Sequence, residues 1–230
     1  MNKLFKILIA LLVVFLATEK LSAQKLKVFN SSITKKIGPK KVAVPYTDVT
    51  SYMGYASPGT EDEIKDGKKF YYIYLWIPVV VPEIGVRMIS PAASIKAKNI
   101  VQSSEYTENS DSKDYFDTYI TLERSNIFTK QEISEEGVAN ASWNTLARND
   151  DSSEMPKNPG GRSYNSLLRY ESNLNDPLGS LTVGLYRIGF TTYKTGEVSG
   201  TFLAQVASSV KLPGVGVAKT ISTLLEQIND

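Results

Sequence analysis

The sequence predicts an all-β fold, an antiparallel β-sandwich with long loops and a C-terminal helix. Three observations support this prediction. Short runs rich in β-branched and aromatic residues recur between turn signals, clear helical periodicity occurs near the end of the chain, and the sequence has neither an internal repeat nor an alternating strand–helix pattern. The last observation argues against a doubly wound nucleotide-binding fold, and the sequence contains no glycine-rich phosphate loop.

The first 23 residues have the pattern of a secretory signal peptide. Lys3 and Lys6 supply a positive start, an apolar run follows, and the small residues of LSAQ indicate cleavage after Ala23. The alternative is a retained membrane anchor, for which the apolar run is short. We therefore expect an exported protein whose residues 24–230 form a single domain. Its location would be the periplasm, the outer cell surface or the extracellular medium.

Composition narrows the possible chemistry. Removing the leader deletes three lysines and one glutamate, so the 26 basic and 24 acidic residues become 23 of each. A neutral mature chain gives no electrostatic reason to expect a nucleic-acid partner. The sequence has no cysteine and no histidine. It therefore offers no thiol for lipid attachment, no Ser-His-Asp or Cys-His catalytic system and none of the usual zinc ligands. Oxygen ligands remain, and these favour calcium or magnesium.

The N-terminal part is predicted to contain strands separated by a basic loop. Residues 25–32 (KLKVFNSS) indicate a first strand and residues 42–56 a strand pair. Between them, residues 34–41 (TKKIGPKK) carry four lysines around a Gly-Pro turn. We interpret this run as a solvated loop, with a patch for an anionic ligand as the alternative.

The clearest strand is at residues 70–81, FYYIYLWIPVVV. Tyr72, Tyr74 and Trp76 alternate with three aliphatic residues, which predicts a strand buried on both faces. A second strand is predicted at residues 115–124 (YFDTYITLER), with apolar and polar faces alternating.

The remaining elements are one short helix, further strands and the C-terminal helix. Ser134 before two glutamates indicates a helix start, and residues 163–174 indicate a strand. Two alternating runs joined by YKTGEV, residues 193–198, predict a β-hairpin. At the C-terminus, apolar residues recur at helical spacing and predict an amphipathic helix on a sheet; they are Val217, Ile221, Leu224, Leu225 and Ile228.

Several sequence blocks resemble one known family. They are YYIYLWIPVVVPEIGVRMISP, FDTYITLER and GLYRIGFTTYKTGEVSGTFLAQV, with SYNSLLR as a shorter match. Together they resemble the major surface lipoprotein of pathogenic Leptospira, a family with relatives in marine bacteria. The likeness extends from about Tyr46 to about Pro213. It implies a jelly-roll β-sandwich, a place at the cell envelope, a bound calcium ion and interaction with matrix components such as collagen and fibronectin.

The resemblance also implies the residues of the calcium site. The family's Asp-Thr pair corresponds to Asp117 and Thr118, and its acidic pair to Asp150 and Asp151 in RNDDSSEMPKN. Its tyrosine, which binds through backbone oxygen, corresponds to Tyr164. The acidic run is shorter here than in the family, which would lower affinity if it reduces ligand charge. On an unbroken strand Asp117 and Thr118 would point to opposite faces, so both reach one ion only at a strand end or through the Thr118 backbone.

From these observations we expect a non-enzymatic, calcium-binding adhesion or interaction module, with envelope or matrix proteins as partners. Two alternatives remain open. One is a glycoside hydrolase that uses Glu83 and Glu123, whose plainer interpretation is pairing with Arg87 and Arg124 or surface exposure. The other is a carbohydrate-binding module with a platform drawn from the 13 tyrosines. Arg87 and Arg187 lie in apolar blocks and are expected to be structural.

Overall fold

The computed structural model describes residues 26, 28–92, 95 and 99–229. The predicted leader, residues 1–23, lies outside this part. The structure is 43% strand and 11% helix, which confirms the all-β prediction. The strands are β1 (Asn30–Ile37), β2 (Lys40–Pro45), β3 (Asp48–Ala56), β4 (Glu63–Lys65), β5 (Lys68–Ile77), β6 (Glu83–Ile89), β7 (Ile100–Gln102), β8 (Tyr119–Ser125), β9 (Trp143–Asn149), β10 (Ser166–Glu171), β11 (Gly184–Thr191), β12 (Gly200–Ser208) and β13 (Gly216–Ala218).

In the described part of the chain, three α-helices and one 3₁₀ turn accompany the strands. The helices are α1 (Ser104–Glu108), α2 (Glu135–Ala139) and α3 (Ile221–Asn229), and the turn is Lys130–Glu132. The Ser134 hydroxyl accepts the Gly137 N–H and caps α2, as its position before two glutamates predicts. No helix in the described ranges is both long and apolar enough to cross a bilayer.

The two main sheets have jelly-roll topology. Sheet I has the order β10-β6-β12-β3-β7, and sheet II has the order β13-β5-β11-β8-β9 with β4 beside β5. When the short strands β4 and β7 are set aside, the chain from β3 to β12 changes sheet at every connection except the one between β8 and β9. This is the strand arrangement of a double Greek key. The pairs are antiparallel except β3 with β7.

The core lies between the two sheets, and each outer face is covered by a smaller cluster. Ile73, Leu75 and Tyr186 belong to the central core. On the outside of sheet I, Phe29 and Tyr46 of the N-terminal segment pack over strand side chains. Helix α3 covers part of the outside of sheet II. Strand β5 is therefore buried on both faces, as its sequence predicts.

Three sequence predictions need correction. The runs joined by YKTGEV are strands β11 and β12, but they lie in different sheets and do not pair, because a jelly roll connects them across the sandwich. The C-terminal helix begins at Ile221, and Val217 belongs to β13. The lysine run is not a loop but the tip of a two-stranded hairpin, in which Ile37 is the register partner of Lys40.

Gly200 cannot be replaced without strain, because it opens β12 with φ of +135° and a Cβ there would lie 2.4 Å from the Asp114 carbonyl oxygen. We expect Gly200→Ala to lower the free energy of unfolding by about 1–3 kcal/mol. Urea unfolding measures this loss. Gly196→Ala is the matched control, since its Cβ meets nothing within 4 Å. Equal stability of the two variants would contradict this account of Gly200.

Candidate metal centre

Two neighbouring strand ends bring the candidate acidic residues together. Strands β8 and β9 are antiparallel, and Ile120 at the start of β8 faces Asn149 at the end of β9. Asp117 and Thr118 directly precede β8, and Asp150 and Asp151 directly follow β9. Both segments therefore emerge at the same end of sheet II. Asp117 and Thr118 lie outside the regular strand, so strand alternation does not force their side chains apart.

The three carboxylates form a compact cluster. Asp117, Asp150 and Asp151 each place one carboxylate oxygen within 4.8 Å of the other two. Asp117 and Asp150 are half-buried, and Asp151 is exposed. The Oδ1 atoms of Asp117 and Asp150 are shielded from solvent and have no hydrogen-bond donor. Buried carboxylate oxygens without a donor are costly unless a cation occupies the space that they face.

The cluster is electrostatically strained. Burial, with smaller contributions from Asp151 and Asp150, raises the pKa of Asp117 from 3.8 to about 6. Burial followed by the charge of Asp151 raises the pKa of Asp150, and burial raises that of Asp151. The Lys68 ammonium partly opposes these shifts at Asp117 and Asp150. A bound cation would reverse the shifts by favouring the charged carboxylates.

Thr118 and Tyr164 are joined beside the cluster. The Tyr164 carbonyl oxygen lies 3.0 Å from the Thr118 backbone nitrogen, which donates to it, and 3.3 Å from the Thr118 hydroxyl. The structure thus brings the Tyr164 carbonyl to the residue after Asp117, although the two residues are 46 positions apart in sequence. The Tyr164 phenol instead accepts a hydrogen bond from Arg162, with a donor–acceptor distance of 2.7 Å. The Tyr164 carbonyl, which the family resemblance implies as a ligand, thus accepts from Thr118 in this structure.

Ser166 is a positioning residue that the sequence did not reveal. Its hydroxyl lies within hydrogen-bond reach of two backbone carbonyls, those of Thr118 and Asp150. Its backbone nitrogen donates to the Thr118 hydroxyl at 2.8 Å. Ser166 thereby links the segment before β8 to the segment after β9. It stands in the SYNSLLR block, but a serine in a strand carries no sequence signal for this role.

The acidic loop is fixed to β10 and to the segment before it by several hydrogen bonds. Ser152 donates its backbone N–H to the Asn165 carbonyl at 3.0 Å. The Asn165 side chain donates to the Pro156 carbonyl at 2.8 Å. Glu154 accepts two hydrogen bonds from the Arg169 guanidinium, at 2.8 and 2.9 Å. The two Asn165 contacts hold the segment after Asp151 close to β10, so less conformational entropy is lost when an ion binds. The Glu154–Arg169 pair lies at the surface, outside the carboxylate cluster.

The match to known protein families covers most of the chain. Residues 40–217 match the family of surface lipoproteins of the order Spirochaetales. The chain belongs to this family. A search of curated proteins found no match. As a member of a surface lipoprotein family, the chain is a protein of the cell envelope or cell surface. The family suggests a non-enzymatic role.

The two glutamates considered for glycoside hydrolysis cannot act as a pair. Glu83 lies on the outer face of sheet I, because its β6 neighbours Ile84 and Val86 point into the core. Glu123 lies on the outer face of sheet II for the same reason. Two packed sheets about 10 Å apart therefore separate the carboxylates, which cannot both contact one glycosidic bond.

The hydrogen-bond and ion-pair partners of Glu83 and Glu123 also differ from the arginines that the sequence suggested. Glu83 accepts the Tyr46 hydroxyl at 2.5 Å and the Ser32 N–H at 3.1 Å, and it does not pair with Arg87. Glu123 pairs with Arg187 rather than Arg124, with 2.7 Å between the Arg187 Nε and the Glu123 Oε2. The prediction that Arg187 is structural agrees with this buried contact.

A sugar platform of tyrosines finds no support in the described part of the chain. The parallel stacked ring pairs there join buried side chains, such as Tyr71 with Phe190 at a centroid distance of 5.4 Å. The exposed tyrosines Tyr115 and Tyr193 take part in none of these pairs. The tyrosines therefore serve mainly the core and the outer-face clusters.

Proposed function

We propose that the chain is a non-enzymatic, calcium-binding interaction module of the cell envelope. The observation that supports calcium most strongly is the set of shielded, donor-free oxygens on Asp117 and Asp150 beside Asp151. Calcium takes six to eight oxygens from carboxylates, backbone carbonyls and water. The three carboxylates fit this preference, and Thr118, the residue after Asp117, is hydrogen-bonded to the Tyr164 carbonyl. A calcium ion would neutralise the repulsion and hold together two chain segments at the end of sheet II.

The exposed side of the site supports a role in interaction. Asp151 is exposed, so an ion held at the cluster keeps contact with solvent on that side. Water ligands there can be replaced by an acidic group of another protein. We propose envelope or extracellular matrix proteins as partners, in line with the surface family to which the chain belongs.

Calorimetric titration of metal-free protein with calcium tests the proposal. We expect saturable heat with a stoichiometry of about one ion, and weaker binding of magnesium, which demands a regular octahedral shell. The heat should be lost in Asp117→Asn, whose amide brings no negative charge. Absence of calcium heat in the unmodified protein would overturn the calcium assignment. Calcium binding without any calcium-dependent capture of matrix or envelope proteins would overturn the interaction role alone.

The stability of the calcium-free protein should depend on the ionisation of Asp117. Its pKa is raised from 3.8 to about 6 on folding, so between these values the folded state binds more protons than the unfolded chain. The free energy of unfolding should therefore fall as the pH rises from about 4 to about 6 and lose nothing further from this group above that range. Urea unfolding in chelator at several pH values measures the effect. An identical pH profile in Asp117→Asn would contradict it.

A further inference from the structure

The β1–β2 hairpin carries an unusual concentration of positive charge. It forms its own two-stranded sheet outside the jelly roll. Its tip holds four exposed lysines, which we call the lysine quartet: Lys35, Lys36, Lys40 and Lys41. No aspartate or glutamate occurs in residues 30–45. Among the described residues, none of the ion pairs includes a member of the quartet.

The hairpin register gathers the charges rather than separating them. Lys36 is the direct cross-strand partner of Lys41, so their side chains share one face. Like charges directly opposite each other destabilise an antiparallel pair. The hairpin itself supplies no acidic residue to relieve this repulsion. An external anionic surface would relieve it.

The opposite face combines lysines with exposed aliphatic side chains. Lys35 pairs with Val42, and Ile37 pairs with Lys40. Ile37 is 65% exposed and Val42 is 45% exposed. Each aliphatic residue thus lies across from a lysine at the hairpin tip. This combination resembles the surfaces that bind lipid by electrostatic attraction and shallow apolar insertion.

The base of the hairpin is fixed to the sandwich, so a contact at the tip would hold the whole domain. The Ser32 backbone N–H donates to both carboxylate oxygens of Glu83, each at 3.1 Å. The Arg169 Nε donates to the Asn30 carbonyl oxygen at 2.7 Å. The tip is exposed while the base is anchored, which is suitable for a short arm that contacts a surface.

We propose that the tip of the β1–β2 hairpin binds an anionic lipid surface, with the lysine quartet at the headgroups and Ile37 and Val42 at the edge of the acyl region. An envelope protein encounters such a surface, and this sequence has no cysteine through which a lipid could be attached. A soluble polyanion would satisfy the lysines but not the two exposed aliphatic side chains. The observations therefore favour a lipid surface over a polyanionic saccharide.

Vesicle flotation tests the proposal. Metal-free protein in chelator is mixed with vesicles of phosphatidylglycerol and phosphatidylcholine in equal parts, or of phosphatidylcholine alone. We expect binding to the anionic vesicles at low ionic strength, little binding to the neutral ones, and release at about 0.5 M salt as charges are screened. Chelator removes calcium, so bridging at the aspartate cluster cannot produce the signal. Failure to bind anionic vesicles would overturn this proposal and leave the calcium proposal untouched.

Charge-matched variants separate the hairpin from net charge. Changing the lysine quartet to glutamine should weaken binding by about a hundredfold or more, since each of the four lysines near an anionic surface contributes roughly fivefold. The control changes four other exposed lysines to glutamine, namely Lys65, Lys113, Lys194 and Lys211. It should retain most of the binding. Equal losses in both variants would overturn the assignment to the hairpin. Matching melting temperatures exclude misfolding as the cause.

Two further measurements test the lipid part. Ile37→Ser with Val42→Ser keeps every charge and should weaken vesicle binding several-fold, because it removes apolar insertion. Unchanged vesicle binding would contradict the proposal that Ile37 and Val42 insert into the edge of the acyl region. Heparin serves as a soluble polyanion. Tight heparin binding without vesicle binding would identify a polyanionic saccharide as the ligand and overturn the lipid assignment.

Discussion

Replacing Asp150 and Asp151 together by asparagine should abolish stabilisation by calcium. In the unmodified protein, calcium at a hundredfold excess over its Kd should raise the free energy of unfolding by about 2.7 kcal/mol, because it binds the folded state. For a chain of this size that corresponds to a melting temperature higher by about 5–10 °C. The double variant leaves one carboxylate of the cluster, Asp117, which should be too few for calcium. Scanning calorimetry with and without calcium measures both responses.

The same substitution should make the calcium-free protein more stable. Burial and mutual repulsion raise the pKa of Asp117, to about 6, and that of Asp150, so the ionised carboxylates oppose folding of the calcium-free protein at neutral pH. Neutral amides at positions 150 and 151 remove part of that repulsion. Glu154→Gln is the control in the same loop, since Glu154 pairs with Arg169 instead of joining the cluster. A calcium response that survives the double change would place the ion elsewhere. A response lost equally in Glu154→Gln would indicate general loop damage.

Much of the sandwich follows from strand patterns, because alternation directly reflects burial on a sheet. Residues 70–77 show apolar side chains on both faces, and β5 is indeed covered on both sides. Alternation does not determine which strands pair with each other. Residues 184–193 and 198–210 alternate and are joined by a turn-like segment, which is the local signature of a hairpin. Their separation into two sheets depends on contacts with β5 and β3, which lie more than a hundred residues earlier.

In the candidate site as well, the local sequence identifies individual residues but not the contacts between distant segments. Asp150 and Asp151 alone are indistinguishable from a polar turn, and their meeting with Asp117 depends on the β8–β9 register. The proposed ligand set came from family resemblance. Neither the sequence pattern nor the family resemblance pointed to Ser166. Its hydroxyl bridges two backbone carbonyls that come together only after the chain folds. The partner of Glu123 was missed for a similar reason, since Arg187 reaches it from the neighbouring strand rather than from the next residue.

Glu123→Gln should cause the largest loss of stability among the polar substitutions considered. The Arg187 guanidinium lies 3.6 Å from the Tyr72 ring centre and 4.2 Å from that of Trp143, and Glu123 is its close carboxylate partner at 2.7 Å. Glu123 is 2% exposed and Arg187 8%. Removing the carboxylate leaves a buried charge without its main partner, because the Arg187 contact with Glu63 is 3.7 Å long. We expect a loss of about 3–5 kcal/mol, or on the order of 10 °C in melting temperature.

A matched pair of variants determines whether the buried charge is the cause. Glu154→Gln breaks a more exposed ion pair with Arg169 and should cost less than about 1 kcal/mol. The combined change Glu123→Leu with Arg187→Met removes both charges and keeps apolar volume between the rings of Tyr72 and Trp143. Because no charge is then buried without a partner, the combined variant should recover most of the stability lost in Glu123→Gln. A combined variant as unstable as the single one would show that Arg187 stabilises sheet II mainly through its contacts with the two rings.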